Sequence, residues 1–128
     1  MSTLRCWTDG SYNNYRIGLG VVVYRGHVKI FQLSLRENLS STNNVAEYKA
    51  FNACLLWLLR KGYNDKKIII HSDSRMLVGQ ANGDMKLRGG TYIEEAAKSH
   101  RLMAKFTNLS VVWIPREENV EADSLSKL

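Results

Sequence analysis

Four acidic side chains stand where a metal-dependent reaction could occur, each at the end of a predicted strand or in the first turn of a predicted helix. Acidic residues are unusual at the end of an apolar strand unless a positive charge meets them, because burying an unpaired charge is costly. Clustered carboxylate oxygens are the ligands that Mg²⁺ and Mn²⁺ prefer. Two such ions side by side can cleave a phosphodiester bond. The candidate metal ligands are Asp9, Glu47, Asp73 and Asp123.

Each of these carboxylates also has a purely structural interpretation. Asp9 precedes a glycine and could be a turn residue that accepts hydrogen bonds from backbone amides. Asp73 and Asp123 could each favour the positive N-terminal end of a helix. Glu47 could close a capping box with Asn44, three residues earlier. These interpretations stay open for the single residues, and none of them excludes metal binding by the same carboxylate.

The composition predicts one globular domain over residues 1–128 with an excess of positive charge. The chain has 128 residues, of which 45% are hydrophobic, and a net charge of +6, with a pI near 9.5. Around an acidic site, 18 Lys and Arg residues suit a polyanionic substrate whose binding weakens with salt. No apolar stretch is long enough for a membrane span, and the N-terminus lacks a signal peptide, so we expect a cytoplasmic protein. Cys6 and Cys54 fall in apolar segments and are expected to be reduced.

The pattern of apolar residues predicts an α/β fold. Three strands with short connections indicate an antiparallel meander, and the later strands alternate with helices. That order predicts a mixed sheet with helices on its faces. We expect a turn at Asp9-Gly10 and helix caps at Ser74, Thr91 and Asn119. The predicted strands cover residues 4–8, 17–24, 27–35, 67–71 and 109–114, and the predicted helices cover residues 43–61, 74–82, 91–106 and 119–127.

The four carboxylates belong to four short motifs that follow one another in a fixed order. These are Asp-Gly-Ser from residue 9, Thr-Asn-Asn-x-x-Glu from residue 42, Ser-Asp-Ser from residue 72 and Asn-x-x-Ala-Asp from residue 119. Any one of them is weak evidence, whereas all four in order are a strong signal. The order resembles the type 1 ribonuclease H family over residues 4–128. The resemblance implies a ribonuclease H-like, five-stranded mixed sheet, with three antiparallel strands, then two parallel ones, and helices on both faces.

The resemblance implies an endoribonuclease that hydrolyses the RNA strand of RNA·DNA hybrids and leaves 5′-phosphate and 3′-hydroxyl ends. The four carboxylates would hold two Mg²⁺ ions about 4 Å apart, with Asp9 bridging them and Mn²⁺ as an expected substitute. Sugar-specific contacts need small polar side chains and backbone amides. For Ser11 and the polar residues at 42–44, turn and cap chemistry is the alternative. The implied substrate-contact positions are Gly10, Ser11, Thr42, Asn43, Asn44, Gln80, Asn82, Lys86 and Arg88.

The chain departs from well-known members of this family in two places. The segment 82–91 is too short for the basic helical protrusion that they often carry. Lys86 and Arg88 are the candidates to compensate, and the alternative is that both are solvated loop residues. The loop 115–119 lacks the histidine that many members place there, and Arg116 is the candidate to hold a phosphate in its stead. A guanidinium cannot shuttle protons at neutral pH. The alternative for Arg116 is a solvated pair with Glu117 or Glu118.

Two other functions are compatible with the sequence. One is a nucleic-acid-binding module that has the fold without the catalysis, and the other is a different nuclease or recombinase on the same scaffold. The complete set of four carboxylates argues against a pure binder, because uncompensated negative charges facing phosphates would weaken binding. We expect a monomer with no membrane partner.

Overall fold

Five β-strands form one mixed sheet in residues 3–87 and 89–128, the part of the chain that the computed structural model describes. The strands are β1 (Leu4–Asn13), β2 (Arg16–Arg25), β3 (Val28–Asn38), β4 (Ile68–Ser72) and β5 (Leu109–Trp113). Their spatial order is β3-β2-β1-β4-β5. β1 pairs antiparallel with β2, and β2 with β3, whereas β1, β4 and β5 run parallel. The predicted mixed sheet is therefore confirmed.

The described residues also contain four α-helices and a short 3₁₀-helix. These helices are α1 (Asn43–Arg60), α2 (Arg75–Ala81), α3 (Ile93–Met103), the 3₁₀-helix Arg116–Glu118 and α4 (Val120–Ser126). A Cβ on Gly10 would lie 2.1 Å from the Ala46 backbone in α1, and a Cβ on Gly20 would lie 2.1 Å from the Ala122 carbonyl oxygen in α4. Gly20 pairs with the residue before Gly10, so the two glycines face opposite sides of the sheet. The prediction of helices on both faces is confirmed.

The first strand continues through Asp9 and Gly10, where the sequence predicts a turn. Asp9 pairs with Gly20 across the sheet. The turn lies instead at Asn14 and Tyr15, whose φ angles of 51° and 58° fit a two-residue hairpin turn of left-handed residues. The prediction is wrong because strand pairing in the centre of the sheet outweighs the local turn preference of Asp-Gly.

The start of α1 differs from the capping box that the sequence offers. The Thr42 Oγ1 accepts a hydrogen bond from the Val45 backbone N–H at 3.2 Å, so Thr42 is the cap. Asn44 is already inside the helix, and the Glu47 side chain points to the sheet. The structural interpretation of Glu47 as a capping residue is therefore wrong.

Of the caps predicted for α2 and α3, the structure confirms the first and contradicts the second. Ser74 caps α2, because its Oγ accepts a hydrogen bond from the Leu77 backbone N–H at 3.2 Å. α3 begins at Ile93 without a side-chain cap, so Thr91 and Glu94 do not form the predicted capping box.

The hydrophobic core lies between α1 and the sheet. Tyr48, Phe51 and Leu55 of α1 are buried in it. Cys6 and Cys54 lie in the same core as free thiols, as predicted. Within residues 3–87 and 89–128, every helix is too short or too polar to cross a membrane.

Candidate active site

Three carboxylates meet at the carboxyl end of the two central parallel strands. Asp9 lies in β1, Asp73 follows β4, and Glu47 lies near the start of α1. One oxygen of each lies within 4.8 Å of the other two. The carboxyl ends of neighbouring parallel strands meet at one edge of a sheet, so residues far apart in sequence come together there.

Glu47 reaches the sheet because Gly10 has no side chain in its way. The Gly10 backbone N–H donates a hydrogen bond to Glu47 Oε1 at 3.0 Å. Burial, and then the negative charges of Asp9 and Asp73, raise the pKa of Glu47 to about 9. The bond from Gly10 stabilises the charged form and opposes this rise without cancelling it.

Asp9 is almost completely enclosed, with 5% of its surface exposed. Burial, and then the charge of Asp73, raise the pKa of Asp9 to about 7. The Ser126 hydroxyl lies 3.1 Å from Asp9 Oδ2 and acts in the opposite direction. Without a cation, Asp9 and Glu47 therefore cannot both carry a full negative charge at neutral pH.

Asp123 lies beside Asp9 but outside the group of three. Its side chain is 31% exposed, and Lys127 Nζ contacts its Oδ1 at 2.8 Å. Burial acts to raise the pKa of Asp123, but hydrogen bonds with Lys127 and Asp9, with the charges of Lys127 and Arg116, bring it below its ordinary value. Asp123 is therefore ionised at neutral pH, and Lys127 competes with a metal cation for its Oδ1.

Asn119 contributes to the site in a way that the sequence analysis misses. It is fully buried and occupies the predicted N-cap position of α4, but its side chain makes no capping hydrogen bond there. Its Nδ2 donates hydrogen bonds to the Thr8 carbonyl oxygen at 2.9 Å and to Asp73 Oδ2 at 3.1 Å. Asn119 thus fixes the carboxylate of Asp73 against the end of β1. The signal for it in the sequence is its place in the Asn-x-x-Ala-Asp motif.

Trp113 fixes the backbone of Asp73. Its indole N–H donates a hydrogen bond to the Asp73 carbonyl oxygen at 3.2 Å. The Arg75 guanidinium lies 3.8 Å from the centre of the Trp113 ring, a cation–π contact that stabilises the orientation of the indole. Asp73 is therefore held at both its backbone and its side chain.

An open groove of about 740 Å³ lies over the site. Arg116, in the 3₁₀-helix, lines this groove together with Asp9, Glu47 and Asp123. Its positive charge acts to lower the pKa of Glu47 and of Asp123. Within the described part of the chain Arg116 forms no ion pair, so the alternative of pairing with a neighbouring glutamate is not seen.

The predicted substrate residues in β1 and at the start of α1 lie at this groove or beside it. Gly10, Ser11 and Asn43 line it. The Ser11 hydroxyl donates to a carbonyl oxygen of α4 at 3.1 Å, and Asn43 Oδ1 accepts a backbone N–H of β1 at 2.9 Å. Thr42 and Asn44 are exposed at the helix start. Thr42 and Asn44 thus lie beside Asn43 but are not among the residues that line the groove.

The predicted substrate residues around the end of α2 are placed differently. Gln80 is 3% exposed, and its side chain bonds to two buried tyrosine hydroxyls, so its predicted direct contact with substrate is corrected to an interior, structural role. Asn82 is exposed and donates to a carbonyl oxygen of β5 at 3.0 Å. Lys86 is exposed, but it does not line the described groove. Arg88 lies outside the described residues.

The sequence and the fold both resemble known proteins. Residues 8–128 match the family described as Reverse transcriptase-like. LC11-RNase H1, isolated from compost by a metagenomic approach, is 32% identical, with a TM-score of 0.89 over 99% of this chain and 94% of that chain. LC11-RNase H1 in complex with an RNA/DNA hybrid gives 30% identity and a TM-score of 0.87 over 97% and 94%. The chain belongs to the ribonuclease H family.

This ribonuclease H chain also matches part of a larger protein. The bifunctional protein Rv2228c of Mycobacterium tuberculosis is 28% identical over 110 residues, which are 85% of this chain. The chain spans only 30% of the length of that relative. The N-terminal RNase H domain of Rv2228c, fused to maltose binding protein, shares the fold, with a TM-score of 0.88 at 24% identity over 98% of this chain and 96% of that chain.

The donor set of this ribonuclease H site fits a divalent metal ion. All of its candidate ligand atoms are carboxylate oxygens, which suit Mg²⁺ and Mn²⁺. The direct hydrogen-bond donors to the group of three are the neutral groups of Gly10, Asn119 and Ser126. In the described residues, no lysine or arginine forms an ion pair with any of the three carboxylates. The raised pKa values of Asp9 and Glu47 follow first from burial and then from the neighbouring negative charges, and a bound cation would offset both.

Proposed function

We propose that this chain is an endoribonuclease that hydrolyses the RNA strand of RNA·DNA hybrids, leaving 5′-phosphate and 3′-hydroxyl ends. The observation that carries the proposal is the group of three carboxylate oxygens within 4.8 Å of one another, two of which belong to residues that line an open groove, Asp9 and Glu47. Membership of the ribonuclease H family supports the choice of substrate, as does the hybrid bound by LC11-RNase H1.

Asp9, Glu47, Asp73 and Asp123 would hold the metal. Two Mg²⁺ ions, or Mn²⁺ in their place, would supply the positive charge that activates a water molecule and stabilises the departing 3′ oxygen. Asn119 and Gly10 keep two of the carboxylates in place, because they donate hydrogen bonds to Asp73 and Glu47. Pre-positioned ligands need no reorganisation during the reaction, which lowers the barrier.

Arg116 would bind the phosphate that is cleaved or released. It lines the same groove as the carboxylates and has no ion-pair partner in the described residues. A guanidinium can donate two parallel hydrogen bonds to phosphate oxygens. It would stabilise negative charge there without taking up a proton.

Small polar groups on both sides of the carboxylates would recognise the two kinds of sugar. Ser11 lies on the β1 side, and Thr42, Asn43 and Asn44 lie at the start of α1. Distinguishing RNA from DNA requires contacts to the 2′-hydroxyl, which such side chains and backbone amides can make. Lys86, which does not line the described groove, would add a phosphate contact, as would Arg88.

The test is cleavage of a hybrid labelled on the RNA strand, with Mg²⁺, with Mn²⁺ and with EDTA. We expect metal-dependent cuts within the RNA strand and no cleavage of duplex DNA of the same sequence. Analysis of the product ends should give 5′-phosphate and 3′-hydroxyl groups. Binding without cleavage under all metal conditions would favour a binding module, and faster cleavage of duplex DNA would favour another nuclease.

A further inference from the structure

An exposed strip of the sheet continues from the carboxylates towards the turn between β1 and β2. Asp9 and Asn13 lie on the same face of β1, because side chains alternate along a strand. Residues paired across antiparallel strands share a face, so Arg16, opposite Asn13, also lies there. Pairing between β2 and β3 adds Arg36 and Asn38. The set is called the arginine shelf and consists of Asn13, Arg16, Arg36 and Asn38.

α4 covers the part of this face beside the carboxylates and the β2–β3 region beyond Gly20, and it ends before the arginine shelf. A Cβ on Gly18 would lie 1.8 Å from the carbonyl oxygen of Ser126, the last residue of α4, so the helix ends over Gly18. Arg36 is the β3 partner of Gly18 and is exposed, as is Arg16. Both arginines line the groove that also contains Asp9. The shelf and the carboxylates are therefore two parts of one open surface.

The two arginines of the shelf have no acidic partner among the described residues, unlike Lys127 nearby. Lys127, at the end of α4, is paired with Asp123 at 2.8 Å. Neither Arg16 nor Arg36 forms an ion pair with any described carboxylate. Glu37 is next to Arg36 in sequence, but alternation along β3 puts it on the opposite face. The shelf thus offers two unpaired guanidinium groups, whose forked donors match phosphate oxygens.

The spacing between the shelf and the carboxylates suits a nucleic-acid duplex. Arg16 is displaced from Asp9 by the length of four residues along the strand and by one strand across, or roughly 14 Å between Cα atoms. Arg36 is displaced by two residues and two strands, or roughly 12 Å. For a duplex whose axis runs from the carboxylates towards the shelf, with a rise of about 3.4 Å per base pair along that axis, these distances correspond to about four base pairs.

We propose that the arginine shelf is a second phosphate-binding subsite, which holds the nucleic-acid backbone about four base pairs from the bond that is cleaved. The proposal rests on the proposed cleavage of RNA·DNA hybrids and extends its binding surface. It assigns Arg16 and Arg36 to substrate grip, with no part in the chemical step. The exposed amides of Asn13 and Asn38 flank the two arginines and can donate to the same backbone.

The test compares three double variants in steady-state cleavage of a hybrid at several salt concentrations. Arg16→Gln with Arg36→Gln removes both charges, and Arg16→Lys with Arg36→Lys keeps them. Arg60→Gln with Lys67→Gln is the matched control, because these exposed residues lie at the end of α1 and before β4, at the opposite edge of the sheet from the carboxylates. Circular dichroism and the denaturation midpoint check that each variant is folded.

The glutamine variant of the shelf should raise KM roughly tenfold or more at 0.1 M salt, with little change in kcat. The slope of log KM against log salt should fall by about 1.8 units, because two phosphate contacts are lost. The lysine variant should keep most of the slope, since it keeps both charges, and the control should behave as wild type. An equal effect in the control would mean a general charge effect and would overturn the subsite.

Substrate length gives a second, independent readout. In a hybrid whose cleavable strand carries four ribonucleotides flanked by deoxynucleotides, the cleavage position is confined to a few bonds. The hybrid is then shortened separately on each side of those bonds. On one side only, fewer than about four remaining base pairs should abolish the difference in KM between wild type and the glutamine variant. A difference that persists at every length on both sides would contradict the assigned position of the shelf.

The subsite and the proposed function can fail separately. If wild type cleaves hybrids and the glutamine variant keeps the wild-type KM and salt slope, the shelf is wrong and the proposed function stands. If wild type cleaves no hybrid with either metal, the proposed function fails. Fluorescence anisotropy with the same hybrid then decides on the shelf, because equal binding by wild type and the glutamine variant overturns it and weaker binding by the variant supports it.

Discussion

Two carboxylates at this site are buried next to a third, with few hydrogen-bond donors to stabilise their negative charge. Asp9 and Glu47 are buried close to Asp73, and the direct donors that reach these two carboxylates are a hydroxyl and a backbone N–H. Neutral donors offset only part of the cost of burying two negative charges. The pKa values of about 7 and about 9 are the result. A substitution that removes one of these negative charges should therefore leave the protein folded but impair cleavage.

Asp9→Asn is expected to abolish cleavage and to leave the protein folded. The amide is a poor metal ligand, yet its oxygen can still accept the hydrogen bond from Ser126. Loss of a charge from the acidic group removes repulsion, so the metal-free denaturation midpoint should stay level or rise. Asp65→Asn, at an exposed loop position, is the matched control and should keep full activity. Wild-type cleavage rates in Asp9→Asn would contradict the metal site.

Arg116→Ala is expected to lower kcat by roughly one to two orders of magnitude, equivalent to about 1.4–2.7 kcal/mol. The reason is the loss of a guanidinium that lines the groove beside Asp9 and Glu47. Arg116→Lys should restore the rate only in part, because a point charge loses the forked contact. Arg60→Ala is the control at the far end of α1. Unchanged turnover of Arg116→Ala at saturating substrate would mean that Arg116 is a solvated surface residue.

At the scale of whole elements, the sequence predicts most of the fold, and it misses where tertiary contact overrides local preference. The order and type of the strands and helices follow from apolar periodicity, which burial on the sheet enforces. Asp9-Gly10 has the local chemistry of a turn, but β2 and α1 hold it in a strand. Asn119 has the chemistry of a cap, but its amide is used by Thr8 and Asp73. No local pattern shows these partners, because they are distant in sequence.

The same limit applies to the two arginines of the shelf. Arg16 belongs to β2 and Arg36 to β3, and only the register of β2 with β1 and with β3 puts them on the same face as Asp9. In the sequence they are ordinary polar positions at strand ends. The grouping of Asp9, Glu47 and Asp73 was predictable because each has a motif of its own, whereas a site made by sheet register has none.

The turn between β1 and β2 carries strain that a substitution can relieve. Tyr15 has φ of 58°, a left-handed conformation that costs a residue with a Cβ about 1–2 kcal/mol. Its side chain is 70% exposed, so little packing is lost with it. Tyr15→Gly should raise the free energy of unfolding by about 1 kcal/mol, or the midpoint by roughly 3–6 °C.

Asn14→Gly is the comparison for this turn, because Asn14 has a similar φ of 51° but tolerates it better than tyrosine does. Thermal and urea denaturation of the two variants should therefore show a larger gain for Tyr15→Gly. A loss of stability in Tyr15→Gly would mean that the tyrosine ring makes a contact that outweighs the backbone strain.

Across the whole molecule, charge is distributed so that one groove has an acidic end and a basic end. The chain carries a net charge of +6, yet one end of the groove concentrates carboxylates and the other end presents Arg16 and Arg36. A cation is attracted to the first end and a phosphate backbone to the second. Metal and substrate can thus bind side by side, and the stability of the metal-free protein is lowered by the acidic end.

The metal-free protein should lose stability as the pH rises through neutrality. Glu47 has a pKa of about 9 in the folded protein and 4.5 ordinarily, so between these values the folded state binds more protons than the unfolded state. Stability falls with rising pH wherever that is so. One proton corresponds to about 1.4 kcal/mol per pH unit, so from pH 6.5 to pH 8 the titration of Glu47 should lower the free energy of unfolding by up to about 2 kcal/mol, and Asp9, whose pKa is raised to about 7, adds to that fall. Urea denaturation in EDTA at both pH values measures it.

Glu47→Gln is the matched variant for this measurement, because its side-chain oxygen can still accept the Gly10 N–H but does not titrate. Its stability should decline much less over the same interval. Burial lowers the pKa of His71, which gives the opposite slope below about pH 6.5 and sets the lower limit of the interval. Mg²⁺ at pH 8 should stabilise wild type more than the variant. Parallel curves for the two proteins would mean that Glu47 is ionised in the folded, metal-free state, contrary to the burial argument.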